Sequence, residues 1–134
     1  YRRRAGDYQK SAMAYRTLLQ ENTDDRSLMH KYIFCLVKLD LIDNALNFAK
    51  LWHQNYGLDV DGALIESSLA VKIKDFDYAI SILRSAFSKF NENPRIKTKL
   101  AQVYYEIGND DMAYQFDSDY VIKMRKSNTK TSKK

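Results

Sequence analysis

Four stretches decide how this chain folds: GDYQKSAMAY (6–15), DLIDNALNFA (40–49), KDFDYAISIL (74–83) and GNDDMAYQFD (108–117), each beginning 34 residues after the last. The sixth position of every copy is small: Ser11, Ala45, Ala79 and Ala113. The third is Tyr8, Ile42 or Phe76, with Asp110 the exception. Gly6 and Gly108 hold equivalent turn positions, filled by Asp40 and Lys74 in the middle copies. A fixed period of this length is the mark of a repeat architecture. Two helices of a hairpin approach closely only where one side chain is no larger than a methyl group or so, because a bulkier one costs about 1–3 kcal/mol in overpacking.

Between these stretches the apolar spacing is helical. Leu28, Met29, Tyr32, Ile33, Leu36 and Leu39 follow i, i+3, i+4, i+7, as do Ala63, Leu64, Ser67, Ala70 and Val71, and then Ile96, Leu100, Val103, Tyr104 and Ile107. After each turn a second helix is expected, over roughly 7–21, 43–55, 76–90 and 110–125. Asp7, Asp43, Asp75 and Asn109 stand where a helix N-cap would satisfy free amides, and Pro94 suits a first turn.

Composition agrees. The chain has 134 residues, 45% hydrophobic and 29% charged, with four Gly, one Pro and one Cys. That is enough chain for one domain with a sizeable core, too apolar for wholesale disorder and too poor in Gly and Pro for a turn-rich β-sandwich. A lone Cys makes no internal disulfide or multi-cysteine zinc site. No apolar run reaches the length of a membrane span. The net charge of +5 is carried by the ends: residues 5–122 hold 13 cations against 17 carboxylates, while Arg2, Arg3 and Arg4 precede every acid and six cations follow Asp119. From Ser127 onward SNTKTSKK has no apolar residue, and residues 127–134 are expected to form a basic disordered tail.

On these residues the chain resembles a tetratricopeptide repeat (TPR) array, whose unit is a 34-residue pair of antiparallel helices with the pattern W-x2-L-G-x2-Y, then A-x3-F, then P. Leu100-Ala101-x2-Tyr104 is the best first half; Tyr32-Ile33-x2-Leu36 and Glu66-Ser67-x2-Ala70 are looser. Ser11-x3-Tyr15 and Ala79-x3-Leu83 fit the second half, Ala45-x3-Ala49 fits poorly, and Ala113-x3-Asp117 breaks it. Met29, Ala63 and Lys97 stand where Trp is usual. The resemblance implies an all-α, right-handed superhelical stack of antiparallel helix pairs. It divides the chain into a partial first repeat (1–25), repeats at 26–59, 60–93 and 94–126, and the tail. Since 1–5 supply only the end of a first helix, the chain reads as a fragment of a longer array. A second helix lacking its mate also leaves an apolar face that another copy could cover.

No reactive constellation emerges. His30 and Cys35 are five apart, about 140° around a helix, and cannot act together as base and nucleophile. Cys35, between Phe34 and Leu36, reads as a small buried filler, and His53 as a helix-end residue. Two His without an i, i+4 partner make no metal site, and the Gly residues form no phosphate-cradling loop. No enzyme activity, cofactor or metal is expected.

The TPR resemblance places a groove on the first helix of each pair. Its peptide-contacting residues would be His30, Phe34, Val37 and Lys38; then Leu64, Ser68, Val71 and Lys72; then Arg95, Thr98, Lys99, Gln102 and Tyr105. Apolar anchors among cations suit a partner peptide or helix of apolar and acidic character. The two-carboxylate clamp by which some TPR domains hold a chaperone tail falls here on His30 and Phe34, Ile65, and Arg95 and Lys99, so only the last pair keeps its charge and chaperone-tail binding is not expected. Two other readings remain: a nucleic-acid-associated helical repeat using the basic ends, or a spacer segment of a larger enzyme. One unpaired Cys points to the reducing cytoplasm, though bacterial TPR proteins also serve in the periplasm.

Overall fold

The computed structural model describes residues 5–132, which form eight α-helices: α1 (Ala5–Glu21), α2 (Arg26–Lys38), α3 (Ile42–Tyr56), α4 (Val60–Lys72), α5 (Phe76–Lys89), α6 (Pro94–Glu106), α7 (Asp110–Phe116) and α8 (Ser118–Ser132). No strand occurs among the described residues. The chain divides into two compact units, 1–57 and 58–134.

The same turn is built three times. After α2, α4 and α6 the chain passes through one left-handed residue: Asp40 at φ 61°, Lys74 at φ 67° and Gly108 at φ 87°. At each turn that residue's N–H and the next one close back onto the helix, Asp40 and Leu41 onto Val37 and Leu36, Lys74 and Asp75 onto Val71 and Ala70, Gly108 and Asn109 onto Tyr105 and Tyr104. This is the Schellman pattern, which satisfies carbonyls the helix end would otherwise leave open. The residue that completes it also begins the next helix. Asp75 accepts from the Tyr78 amide at 3.2 Å and Asn109 from that of Met112 at 3.2 Å. At the equivalent place Leu41 has no side chain to offer, so the expected cap at Asp43 is corrected: Asp43 lies in the first turn of α3. Asp7 likewise lies in the first turn of α1, and Gly6 is inside that helix rather than in a turn. The expected helix end before Gly6 falls largely on residues 1–4, outside the described residues.

A second register of caps also keeps the 34-residue spacing. Asp25 accepts from Leu28 N at 3.1 Å, Asp59 from Gly62 N, and Asn93 from Arg95 N at 2.9 Å, starting α2, α4 and α6. Across the hairpins α2–α3, α4–α5 and α6–α7, every helix start but that at Leu41 therefore carries a side-chain cap.

In the first unit the core is built by Ala12 and Leu19 of α1, Met29, Ile33 and Leu36 of α2, and Ala45, Leu46, Ala49 and Trp52 of α3. In the second, α5 packs against both α4 and α6, and α6 against α4, α7 and α8. Leu83, Ile96, Leu100 and Val121 are fully enclosed there. Ala45, Ala79 and Ala113 expose no surface, as a close helix approach requires, whereas Ser11 is half-buried. One polar pair enters the core: Glu66 of α4, 1% exposed, accepts the hydroxyl proton of Tyr78 of α5.

The last hairpin departs from expectation. A single helix over 110–125 is corrected to two, because α7 stops at Phe116 and Asp117 takes an extended conformation at φ −154°. The Asp117 carboxylate then accepts the amide of Tyr120 at 3.1 Å and opens α8. Short as it is, α7 is anchored: the Phe116 ring stacks on Tyr104 (5.8 Å, 6°) and meets Phe87 edge-on at 5.3 Å. Its backbone helical through Ser132, α8 also runs into the segment expected to be a disordered tail, of which 133–134 lie outside the described residues.

Candidate protein-interaction surface

The four groove residues expected in the first unit all lie on α2. Its buried stripe (Met29, Ile33, Leu36) turns Phe34 outward, where the ring is 53% exposed. There it meets Tyr8 edge-on at 6.2 Å and carries the Lys38 ammonium 5.3 Å from its centroid. Val37 is half-buried. His30 is half-buried too, its Nε2 enclosed without a hydrogen-bond partner.

In the second unit, α4 presents Leu64, Ser68 and Val71, each half-buried, and Lys72, exposed. They follow i, i+4, i+7, i+8 and therefore share a face, opposite the fully buried Ala63 and Ala70. Helix α6 lies beside α4 and presents Arg95 and Gln102, exposed, with Thr98, Lys99 and Tyr105 half-buried. The Arg95 guanidinium pairs with Asp61 of α4 at 2.8 Å, tying the two first helices together at their N-terminal ends. Both side chains are more than half exposed, so the pair contributes little stability.

Two of the expected contact residues are engaged by α8 and the residue that opens it. The Thr98 hydroxyl donates to the Asp117 carboxylate at 2.8 Å, and the Tyr105 ring meets Tyr120 edge-on at 6.0 Å. Neither Asp117 nor Tyr120 was among the expected contact residues. The signal for them was the Asp that interrupts Ala113-x3-Asp117, together with the N-cap preference of Asp before a new helix.

Burial shifts the ionisation of this region. It pushes the Lys99 ammonium below its ordinary value of 10.5, against the pull of the Glu106 carboxylate in the other direction. Burial also raises the Tyr120 phenol, helped by Tyr105 and the Glu106 charge. Lys99 is thus a half-buried cation on α6, the helix that packs against α4 with its half-buried Leu64, Ser68 and Val71. Among the described residues no cluster of three or more His, Cys, Asp or Glu could hold a metal ion, and no helix is long and apolar enough to cross a membrane.

No family model matches this chain, and no curated protein matches its sequence. Solved structures do. The chain is similar to a crystal structure of MamA, with a TM-score of 0.70 at 19% identity over 92% of this chain and 75% of that one. A second crystal structure of the MamA protein gives 0.69 at 20% identity, over 90% of this chain and 65% of that one. A third structure, MamA MSR-1 C2, gives 0.67 at 11% identity, over 92% and 70%. At such identities the likeness establishes the fold: the chain is an all-α, TPR-like helical repeat.

Proposed function

We propose that this chain is a non-catalytic protein-interaction module that takes an apolar, acidic peptide or helix of a partner protein on the first helices of its hairpins. In the second unit the contact residues are Leu64, Ser68, Val71 and Lys72 of α4 with Arg95, Lys99 and Gln102 of α6; Thr98 and Tyr105 support them through α8. In the first unit they are Phe34, Val37 and Lys38, with His30 beneath. The observation that supports the reading is Lys99, a half-buried cation whose ammonium is held partly out of water on α6, the helix packed against α4 and its half-buried Leu64 and Val71. Docking a carboxylate there restores the solvation that folding removed, and Leu64 and Val71 supply apolar area. We read 26–59, 60–93 and 94–126 as the repeat units.

A nucleic-acid partner would draw on the basic ends alone. The body between them carries 13 cations against 17 carboxylates, which repels phosphate.

The test is selection of a displayed random-peptide library on the full chain. Enriched peptides are expected to combine aliphatic or aromatic residues with Asp or Glu. Their affinity should fall about tenfold in Leu64→Ala and more in Lys99→Glu, as for anchors at an interface centre. Enrichment of basic peptides, or equal binding by both variants, sinks the proposal.

A further inference from the structure

The first unit holds a cavity of about 520 Å³ that the groove reading does not use. It is lined from α1, the turn after it, α2 and α3, and its volume is that of a ligand site rather than a packing defect. One wall is a stripe of α3 at i+4 spacing: Asn44, Phe48, Trp52 and Tyr56. Phe48 and Trp52 have ring centroids 6.3 Å apart, Trp52 and Tyr56 4.5 Å, and Tyr32 of α2 meets Phe48 edge-on at 4.9 Å. This row is only partly a core. Tyr56 is 37% exposed, and Leu51 beside it 56%.

Two observations say what such a wall recognises. The first is an unmatched donor: Trp52 is 6% exposed, and its indole Nε1 is enclosed without a hydrogen-bond partner. Buried donors are nearly always paired, so a lone one within a cavity wall calls for an acceptor. The second is charge. Arg16 lines the cavity and the Arg26 guanidinium carbon lies 6.0 Å from the centre of the Trp52 ring, while none of the lining residues carries a carboxylate. A cationic guest would be repelled, so this is no ammonium cage despite its aromatic rings. Gln20, Asn44 and Asn55 add carboxamides, which suit a peptide backbone.

A polyproline II segment meets these demands together. Its pyrrolidine rings pack on aromatic faces, its carbonyls make no internal hydrogen bonds, and it binds already extended, with little ordering cost. We propose that this cavity binds a proline-rich, extended segment of a partner protein, with rings against Trp52 and Tyr56 and a backbone carbonyl accepting from Trp52 Nε1. Because Nε1 is covered in the free chain, binding includes a shift of the side chains around it. Tyr56, the last residue of α3 and followed by Gly57 at φ 86°, is the one best placed to move.

Trp52 is the only tryptophan, so its fluorescence reports on this cavity without a label. The full chain is titrated with a blocked oligoproline peptide, and in parallel with a blocked Gly-Ser peptide of equal length and with tetramethylammonium. A saturable change in Trp52 emission is expected with oligoproline alone. It should weaken about tenfold or more in Tyr56→Ala and in Leu51→Glu, both exposed positions whose folding is checked by circular dichroism. Leu64→Ala, in the other unit, should leave it unchanged. No saturable change at millimolar oligoproline overturns the proposal. So does an equal response to tetramethylammonium or to Gly-Ser, or one that both cavity variants leave intact.

Discussion

The hairpins α4–α5 and α6–α7 start alike and end differently. Both turn through a left-handed residue, both begin the second helix with a side-chain cap, and both enclose an alanine four residues further on, Ala79 and Ala113. At the next equivalent position the first hairpin has Leu83, fully buried, and the second has Asp117. Leucine lets the helix run to Lys89. A carboxylate cannot enter that apolar site, so the chain leaves the helix and uses the oxygens to start another. One repeat position therefore decides whether a second helix has 14 residues or seven. It also decides that Thr98 and Tyr105 face α8 rather than solvent alone.

The sharpest way to break this contrast is Leu83→Asp, which gives the intact hairpin the residue that ends its neighbour. Leu83 lies inside α5 and exposes no surface, so the charge would sit in a closed core. A loss of about 4 kcal/mol or more is expected, seen as loss of a cooperative melting transition by circular dichroism at neutral pH.

The interiors of the two hairpins differ as well. Glu66 and Tyr78 bond across α4–α5, whereas the equivalent positions in α6–α7 are the apolar Leu100 and Met112. Burial, then the hydrogen bond and the charges of Glu66 and Asp75, hold the Tyr78 phenol well above its ordinary value of 10. A raised folded-state value means that the unfolded chain loses the proton first. The contribution of Tyr78 is therefore complete below pH 10 and declines as pH climbs above it. Tyr78→Phe should cost about 1–3 kcal/mol at neutral pH, and the gap to the parent should narrow above pH 10 in urea titrations. The alkaline slope from Tyr120 and the opposite one from Lys99 are common to both proteins and cancel. A gap independent of pH would show that the bond is not what holds the pair.

The smallest effect concerns the shared turn. Lys74 takes at φ 67° the conformation that Gly108 takes at φ 87°, and a side chain there is strained by about 1 kcal/mol. Lys74→Gly should stabilise by about that amount, raising the melting temperature by a few degrees, and Gly108→Ala should lower it similarly. No atom lies within 4 Å of a Cβ built on Gly108, so the second change tests backbone strain without a clash.

These comparisons also show what could be read from the letters. The period, the turns at Asp40, Lys74 and Gly108, and the caps at Asp75 and Asn109 were legible because each is a local requirement that few residue types satisfy. The caps at Asp25, Asp59 and Asn93 obey the same spacing but lie in turns where Asp and Asn have many uses. The break at Asp117 was visible as a misfit, yet periodicity argued for a continuous helix, and the tertiary cost of an acid at a core position prevailed. The surface was harder still. Phe34 and Leu64 carry letters that serve equally in a core, and only packing reveals which way they point. The Trp52 cavity was hidden in the same way, since aromatics at i+4 read as an ordinary apolar stripe.

The pair formed by Asp61 and Arg95 has a consequence for any attempt to idealise the molecule. The two residues stand one repeat length apart, at the same place in successive units, so identical copies would set like charge against like there. A consensus built by averaging the units would erase the attraction, and exchanging their order would reverse its partners. The hairpins are therefore not interchangeable tiles: each is signed for the neighbour it meets.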